Sequence, residues 1–271
     1  SLDKLGKRTM KNVVKQKKFC EILLPLPFVK ASDQGKTVLD LTINPHILMA
    51  AGDLKQLRFL FDYCERFFNG LSMAVCVTKI SKYDGIQEEY GFNLTTRGTY
   101  DLRNPLKVKD FYESMSDRLE EMKKFNVRDF CDLKFKRKSL QNYLSPQDKR
   151  SPANLEEFEK FIRNGKIQII LVEKGTSFLE CYDPLYKDFL LKIIQNGRRA
   201  GYFVIVGETE EGLGKLDPLI KINLTTRLSY GIKEKELSKV FHFHQTLKNY
   251  DRESIYMERI GEYPFKVYSS L

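Results

Sequence analysis

Apolar positions recur along this chain in two rhythms, which together lay out its elements. Leu54, Leu57, Phe61, Cys64 and Phe68 fall at three- and four-residue steps, the spacing that lines one face of a helix, and Gly70 is placed to end it. Phe111, Met115, Leu119 and Met122 make a second stripe, with Asp110 as N-cap and Glu113 three residues on as its capping-box partner. Asn154 and Glu157 cap a shorter helix that stops at Gly165, and Pro184, at the first position of another, precedes Leu185, Phe189, Ile193 and Ile194 on its buried side. Pro218 to Asn223 is a further short helix.

Between these stripes lie short apolar runs. Thr37–Leu41, Ile47–Ala51, Met73–Thr78, Ile167–Val172, Tyr202–Val206 and Leu228–Ile232 read as strands. The near-continuous runs at 167–172 and 202–206 are those of strands buried on both faces. Ser254 to Ser269 reads as a hairpin turning around Gly261 to Pro264. Residues 139–153 are polar with two prolines, a surface loop. Strands alternating with helices predict an α/β fold, a mostly parallel central sheet with helices on both faces. Glycine-rich phosphate loops commonly sit on that architecture.

Composition narrows the picture. A chain of 271 residues with 42% hydrophobic and 30% charged positions can bury a core of its own. The longest apolar stretch, Phe19 to Val29, is interrupted by Pro25 and Pro27 and falls short of a membrane span. There is no secretory signal pattern, and the absence of an initial Met is what a piece of a longer chain would show. Cys20, Cys64, Cys76, Cys131 and Cys181 are scattered and odd in number, without C-x-x-C spacing, which favours a reducing compartment over a disulfide framework or zinc site. His242 and His244 flank Phe243, which puts them on one face of an extended segment; with no acidic or thiol ligand close in sequence they read as surface or packing histidines.

The formal charge is +10, yet Lys4, Lys7, Arg8, Lys11, Lys15, Lys17 and Lys18 against Asp3 give the first 18 residues +6 of it. Residues 1–30 therefore read as a basic linker or arm, and 31–271 as the folded domain. A second basic knot, Lys134-Phe135-Lys136-Arg137-Lys138, reads as a solvated loop rather than a nucleic-acid surface.

Several stretches, taken in order, resemble the FtsK/SpoIIIE family of RecA-like motor domains. Pro45-His46 and the apolar Ile47–Ala51 look like the entry to the family's phosphate loop. Asp117-Arg118 through Asn126-Val127-Arg128-Asp129 is similar to its conserved helix and the segment that follows. Arg198-Arg199-Ala200-Gly201 resembles its turn before a core strand, and Leu219-Ile220-Lys221-Ile222-Asn223 with Thr226-Arg227 resembles a segment near its end. The resemblance covers roughly residues 37 to 240 and implies a RecA-like P-loop NTPase fold.

The departures from the family pattern carry the functional expectation. Where G-x-x-x-x-G-K-[ST] belongs stand Ala51, Gly52, Asp53, Leu54, Lys55, Gln56, Leu57 and Arg58, with Leu57 in the lysine position and Arg58 in that of the hydroxyl. Where an Asp-Glu pair would order the metal and activate water stand Glu173 and Lys174, and Thr209 lies where the family has a Thr-Gln. The resemblance implies a degenerate site without catalytic residues or metal ligands. Arg58 and Arg227 are left as possible phosphate contacts, although an internal ion pair is the commoner fate of such arginines. No cofactor is expected, with room for weak ATP and Mg²⁺ binding.

Such degeneracy is most like that of the C-terminal, third ATPase-type domain of the EssC/EccC motors of type VII secretion. By that resemblance the chain would be a soluble, non-hydrolysing domain on the cytoplasmic face of a membrane motor. Its partners would be the preceding ATPase domains of the same chain and small helical secreted proteins. Phe67-Phe68 and Tyr182 to Tyr186 are candidate docking clusters, though core burial is the usual fate of such residues. The alternatives are a DNA translocase or conjugation-coupling module, or a domain keeping residual nucleotide binding without turnover.

Overall fold

In the computed structural model, the structure describes residues 22–32, 35–80, 106–136, 152–176 and 184–269. The elements are β1 (Pro25–Ser32), β2 (Gly35–Asp40), β3 (Ile47–Ala51), α1 (Leu54–Asn69), β4 (Val75–Ile80), α2 (Leu106–Lys124), α3 (Phe130–Lys136), α4 (Pro152–Asn164), β5 (Ile167–Val172), α5 (Pro184–Ala200), β6 (Tyr202–Thr209), α6 (Pro218–Asn223), β7 (Thr226–Tyr230), β8 (Ile255–Glu258) and β9 (Phe265–Ser269). Short 3-10 turns at Glu234–Lys239 and His244–Thr246 link β7 to β8.

All the strands join one nine-stranded sheet in the order β2-β1-β9-β8-β7-β3-β6-β5-β4. From β7 to β4 every pairing is parallel, whereas from β2 to β7 every pairing is antiparallel. The sheet is therefore mixed rather than mostly parallel. Its antiparallel half consists of the β1–β2 and β8–β9 pairs, which add beside β7 through antiparallel ladders and need no crossover helix. Pro25–Ser32 is an interior strand of this sheet, with Phe28 and Val29 buried. The chain before Ile22 lies outside the described residues.

Helices cover both faces of the parallel half. A side chain at Gly207 would press into Phe61 and Leu57 of α1, so that face of β6 carries α1. Tyr202, five residues away and thus on the opposite face, bonds Ser114 of α2 through its hydroxyl at 2.7 Å and lies against Gly197 of α5. α1 buries Leu57, Leu60, Phe61, Cys64, Phe67 and Phe68, so the stripe read from its spacing is the face turned to the sheet. Phe67 and Phe68 meet edge to face within the core, which removes them as a docking cluster. Tyr186 is half-buried against Phe189, while Tyr182 lies outside the described residues.

Several boundaries differ from expectation. α2 starts at Leu106, so Asp110 is a residue of the helix and not its cap; Asn104-Pro105 is the start signal that the capping-box pattern hid. α4 likewise starts at Pro152 rather than at Asn154. Lys134 and Lys136 belong to α3, and Lys134 Nζ donates to the Ile162 carbonyl at 2.5 Å, closing the last turn of α4 instead of lying in a solvated loop. β4 and β7 are displaced by two residues from the segments read as strands, which leaves Met73 85% exposed. Residues 139–151 are outside the described residues.

The lower edge of the parallel strands, at their N-terminal ends, is held by two buried polar groups. His46 adopts a positive φ of 57°, which turns its imidazole back so that Nδ1 accepts the Val204 N–H at 3.2 Å. The side chain thereby takes up a ladder donor that its own backbone has left. Burial, reinforced by the charge of Arg198, holds this imidazole down at about 3. Arg118 of α2 donates to the carbonyls of Lys166 and Ala200 at 2.9 and 2.7 Å and lies between the rings of Phe130 and Tyr202. The basic residue of the Asp117-Arg118 stretch thus joins a helix to the starts of β5 and β6.

Candidate functional site at the carboxyl edge of the parallel strands

In open α/β sheets ligands bind beyond the carboxyl ends of the parallel strands, where neighbouring connections leave in opposite directions. Here that point is β3, flanked by β6 and β7, with Ala51 level with Thr209 on one side and Tyr230 on the other. The connection from β3 leads towards β4 at one end of the sheet, while β7 adds on the far side.

Gly52 and Asp53 alone separate β3 from α1. Asp53 is extended and caps the helix, its carboxylate accepting the Gln56 N–H at 2.8 Å. The Leu57 N–H bonds the Asp53 carbonyl, and the Gly52 N–H bonds the carbonyl of Tyr230 at 2.9 Å. A side chain at Gly52 would collide with the Gly231 carbonyl, and one at Gly231, whose φ is 75°, would collide with the Gln56 amide. Close approach of the Gly231 backbone requires glycine at 52, and the left-handed backbone favours it at 231. The segment aligned with a phosphate loop is a two-residue turn followed directly by helix, so Leu57 and Arg58 lie in α1, with Leu57 buried in the core.

Glu173, directly after β5, is buried, and its carboxylate meets Arg58 Nε at 3.3 Å. Arg58 therefore forms an internal ion pair. Lys79 of β4 lies nearby, paired with Asp62 at 2.8 Å. Burial pushes the neighbouring Glu65 carboxyl up, opposed by Lys79 and reinforced by Asp62 and Glu173. Lys174 follows at a positive φ of 59° and leads the chain into Gly175 and Thr176.

The most buried charge at this edge is one that the sequence reading passed over. Glu208 of β6 is 0% exposed and accepts from the N–H groups of Thr176 and Thr209, each at 2.8 Å, and from the Thr209 hydroxyl at 3.3 Å. Its signal was visible: a glutamate that continues the apolar Tyr202–Val206 run can be buried only if its oxygens are satisfied. Glu210 bonds the Ala51 carbonyl through its N–H and takes the Lys233 N–H at 2.7 Å on its carboxylate, with Lys233 Nζ at 3.1 Å.

The site residues named from sequence thus divide. Ala51, Gly52, Asp53, Glu173, Lys174 and Thr209 gather along this edge, and Arg58 joins them through Glu173. Arg227 does not. It pairs with Leu48 near the start of β7, and its guanidinium donates to the carbonyls of Val240, Lys221 and Leu224. Burial lowers its pKa, partly offset by Glu258. The same Glu258 receives the His242 and Phe243 N–H groups and His242 Nδ1, so a carboxylate distant in sequence does partner that histidine. Among the described residues no cluster of histidine, cysteine and carboxylate groups is suited to a metal ion, and Cys64, Cys76 and Cys131 are buried and outside any disulfide.

Comparison with known proteins adds the fold's relatives. No family model matches the chain, and no curated protein matches it. Among solved structures, the cytoplasmic domain of the Thermomonospora curvata type VII secretion ATPase EccC is similar over 95% of this chain and 30% of its own, with 14% identity and a TM-score of 0.59. The pCW3 conjugation coupling protein TcpA, solved with ATPγS, is similar over 90% of this chain and 66% of its own, at 12% identity and a TM-score of 0.57. EssC ATPases 2 and 3 from Geobacillus thermodenitrificans are similar over 91% of this chain and 44% of theirs, at 14% identity and a TM-score of 0.56. The chain spans less than two thirds of each of these proteins. A sheet whose parallel half has helices on both faces, together with structural similarity to these proteins over nine tenths of the chain, gives this chain the RecA-like P-loop NTPase fold.

Proposed function

We propose that this chain is a non-hydrolysing motor-type domain that serves protein export as a binding or regulatory module beside active ATPase domains. The observation that carries the reading is the turn between β3 and α1. Two residues leave no loop to wrap a phosphate, and the cap of α1 is already a carboxylate, Asp53. The residues at the end of β5 support the same reading, since Glu173 is engaged by Arg58 and Lys174 offers no carboxylate to activate water.

The placement in a type VII secretion motor rests on likeness to the ATPase domains of EccC and EssC, in which several such units share one chain. By this reading the partners are those neighbouring domains and helical secreted proteins, and the setting is the cytoplasmic side of a membrane motor. Among the described residues no helix is long and apolar enough to cross a membrane. Surfaces open to partners include Leu219 and Ile222, one turn apart on α6, and the Phe243–Tyr263 pair beside Ile260. Phosphate release from Mg·ATP by the purified chain tests the reading: release at the assay background is expected, and turnover abolished by a β3–α1 substitution would end it.

Likeness to TcpA supports a second reading, a conjugation-coupling module acting on DNA. Binding of duplex DNA whose affinity falls steeply with salt would favour it, whereas no retention at physiological salt favours export.

A further inference from the structure

At the carboxyl ends of four of the parallel strands, a backbone N–H in or beside the segment that follows goes to one of three carboxylates of this chain. After β3, the Gln56 N–H goes to Asp53; after β5, the Thr176 N–H goes to Glu208; at the end of β6, the Thr209 N–H goes to Glu208 as well; after β7, the Lys233 N–H goes to Glu210. All four distances lie between 2.7 and 2.8 Å. Two of these contacts tie different strands together, β5 to β6 and β6 to β7, across or beside the end of β3. In α/β folds that bind nucleotides, N–H groups in such turns and at the first turn of such a helix meet the anionic oxygens of the ligand.

We infer that Asp53, Glu208 and Glu210 form a built-in anionic lock, which holds the turns at the carboxyl edge in one arrangement without any ligand. Each oxygen supplies what a phosphate oxygen would supply, a negative acceptor for an otherwise unpaired N–H, and Glu208 does so from full burial. Gly212 permits this, because a side chain there would collide with the Glu208 carboxylate. A domain locked in this way presents the same edge to its neighbours throughout their nucleotide cycle. That consequence rests on the non-hydrolysing reading; the lock itself does not.

Amide hydrogen exchange on the full chain, without nucleotide, tests the lock. Asp53→Ala should speed exchange at Gln56, Glu210→Ala at Lys233, and Glu208→Gln at Thr176 and Thr209, each by about tenfold, as for the loss of a charged acceptor. Amides in β5 and β6 such as Leu171 and Val204 should keep their wild-type rates. If Glu208→Gln does not fold, the other two variants decide, because Asp53 is exposed and Glu210 half-buried, against full burial for Glu208. Unchanged exchange at the named amides would overturn the lock. So would slowing of the same amides in the wild type by millimolar inorganic phosphate, since an external anion would then be doing the holding. Turnover of ATP by a chain that still shows carboxylate-dependent protection would remove the functional reading and leave the lock standing.

Discussion

His46 shows how a single buried group sets a pH limit on this fold. Its imidazole takes a proton at about 3, whereas the unfolded chain does so near 6.5. Between those values the unfolded state binds more protons. The contribution of neutral His46 is therefore complete above pH 6.5 and drains away as the pH falls towards 3. Between about pH 7 and about pH 4 the wild type should lose on the order of 3 kcal/mol more than His46→Asn, whose side chain tolerates the positive φ and can still accept the Val204 N–H. Urea midpoints at the two pH values measure this, and equal losses would show that His46 is not the group that titrates. Gly231 is as demanding. Alanine there meets both the left-handed backbone and the Gln56 amide, and should lower stability by about 2–4 kcal/mol. Adding Gln56→Ala should recover the part due to collision and leave about 1 kcal/mol of backbone strain. A double variant no more stable than Gly231→Ala alone would put the whole effect on the backbone.

At the scale of elements, what was legible was what is local. The stripe from Leu57 to Phe68 identified both α1 and its buried face, because helical periodicity needs no knowledge of the partner. The starts of α2 and α4 were misplaced for one reason: in both an acidic or amide residue inside the helix was taken as the cap, while a proline earlier in the sequence, at 105 and at 152, was the better start signal. In the antiparallel half the β8–β9 hairpin was legible from Ser254–Ser269, but the place of β1 was not, since nothing in Pro25–Ser32 records that its neighbours are Gly35–Asp40 on one side and Phe265–Ser269 on the other. The same limit hid Glu208 and Glu210, whose partners lie 32 and 23 residues away. It also left Arg58 with two readings, until the end of β5 was placed beside α1. That pair has a measurable weight. Arg58→Ala leaves the buried Glu173 carboxylate without its cation and should destabilise the chain by about 1–2 kcal/mol, the low end for such a loss because Arg58 is 41% exposed. If Arg58→Ala unfolds at the wild-type urea midpoint, Glu173 draws its compensation from Lys79 instead.

Over the whole molecule, the fold and the chemistry of its site point in different directions. The sheet places its topological switch point at the end of β3, where open α/β sheets bind their ligands, and the side chains of this chain fill that edge with their own ion pairs and caps. The net charge of +10 does not decide between protein and nucleic-acid partners, because +6 of it lies in the first 18 residues. The site is the more decisive place to look. Calorimetric titration of the purified chain with ATP and Mg²⁺ into the millimolar range asks the question directly. A domain closed by Asp53, Glu208 and Glu210 should give only the heat of dilution. A saturable heat of binding, lost when Arg58 or Glu173 is replaced by alanine, would mean that this edge still opens to nucleotide and that the domain is not the inert partner proposed here.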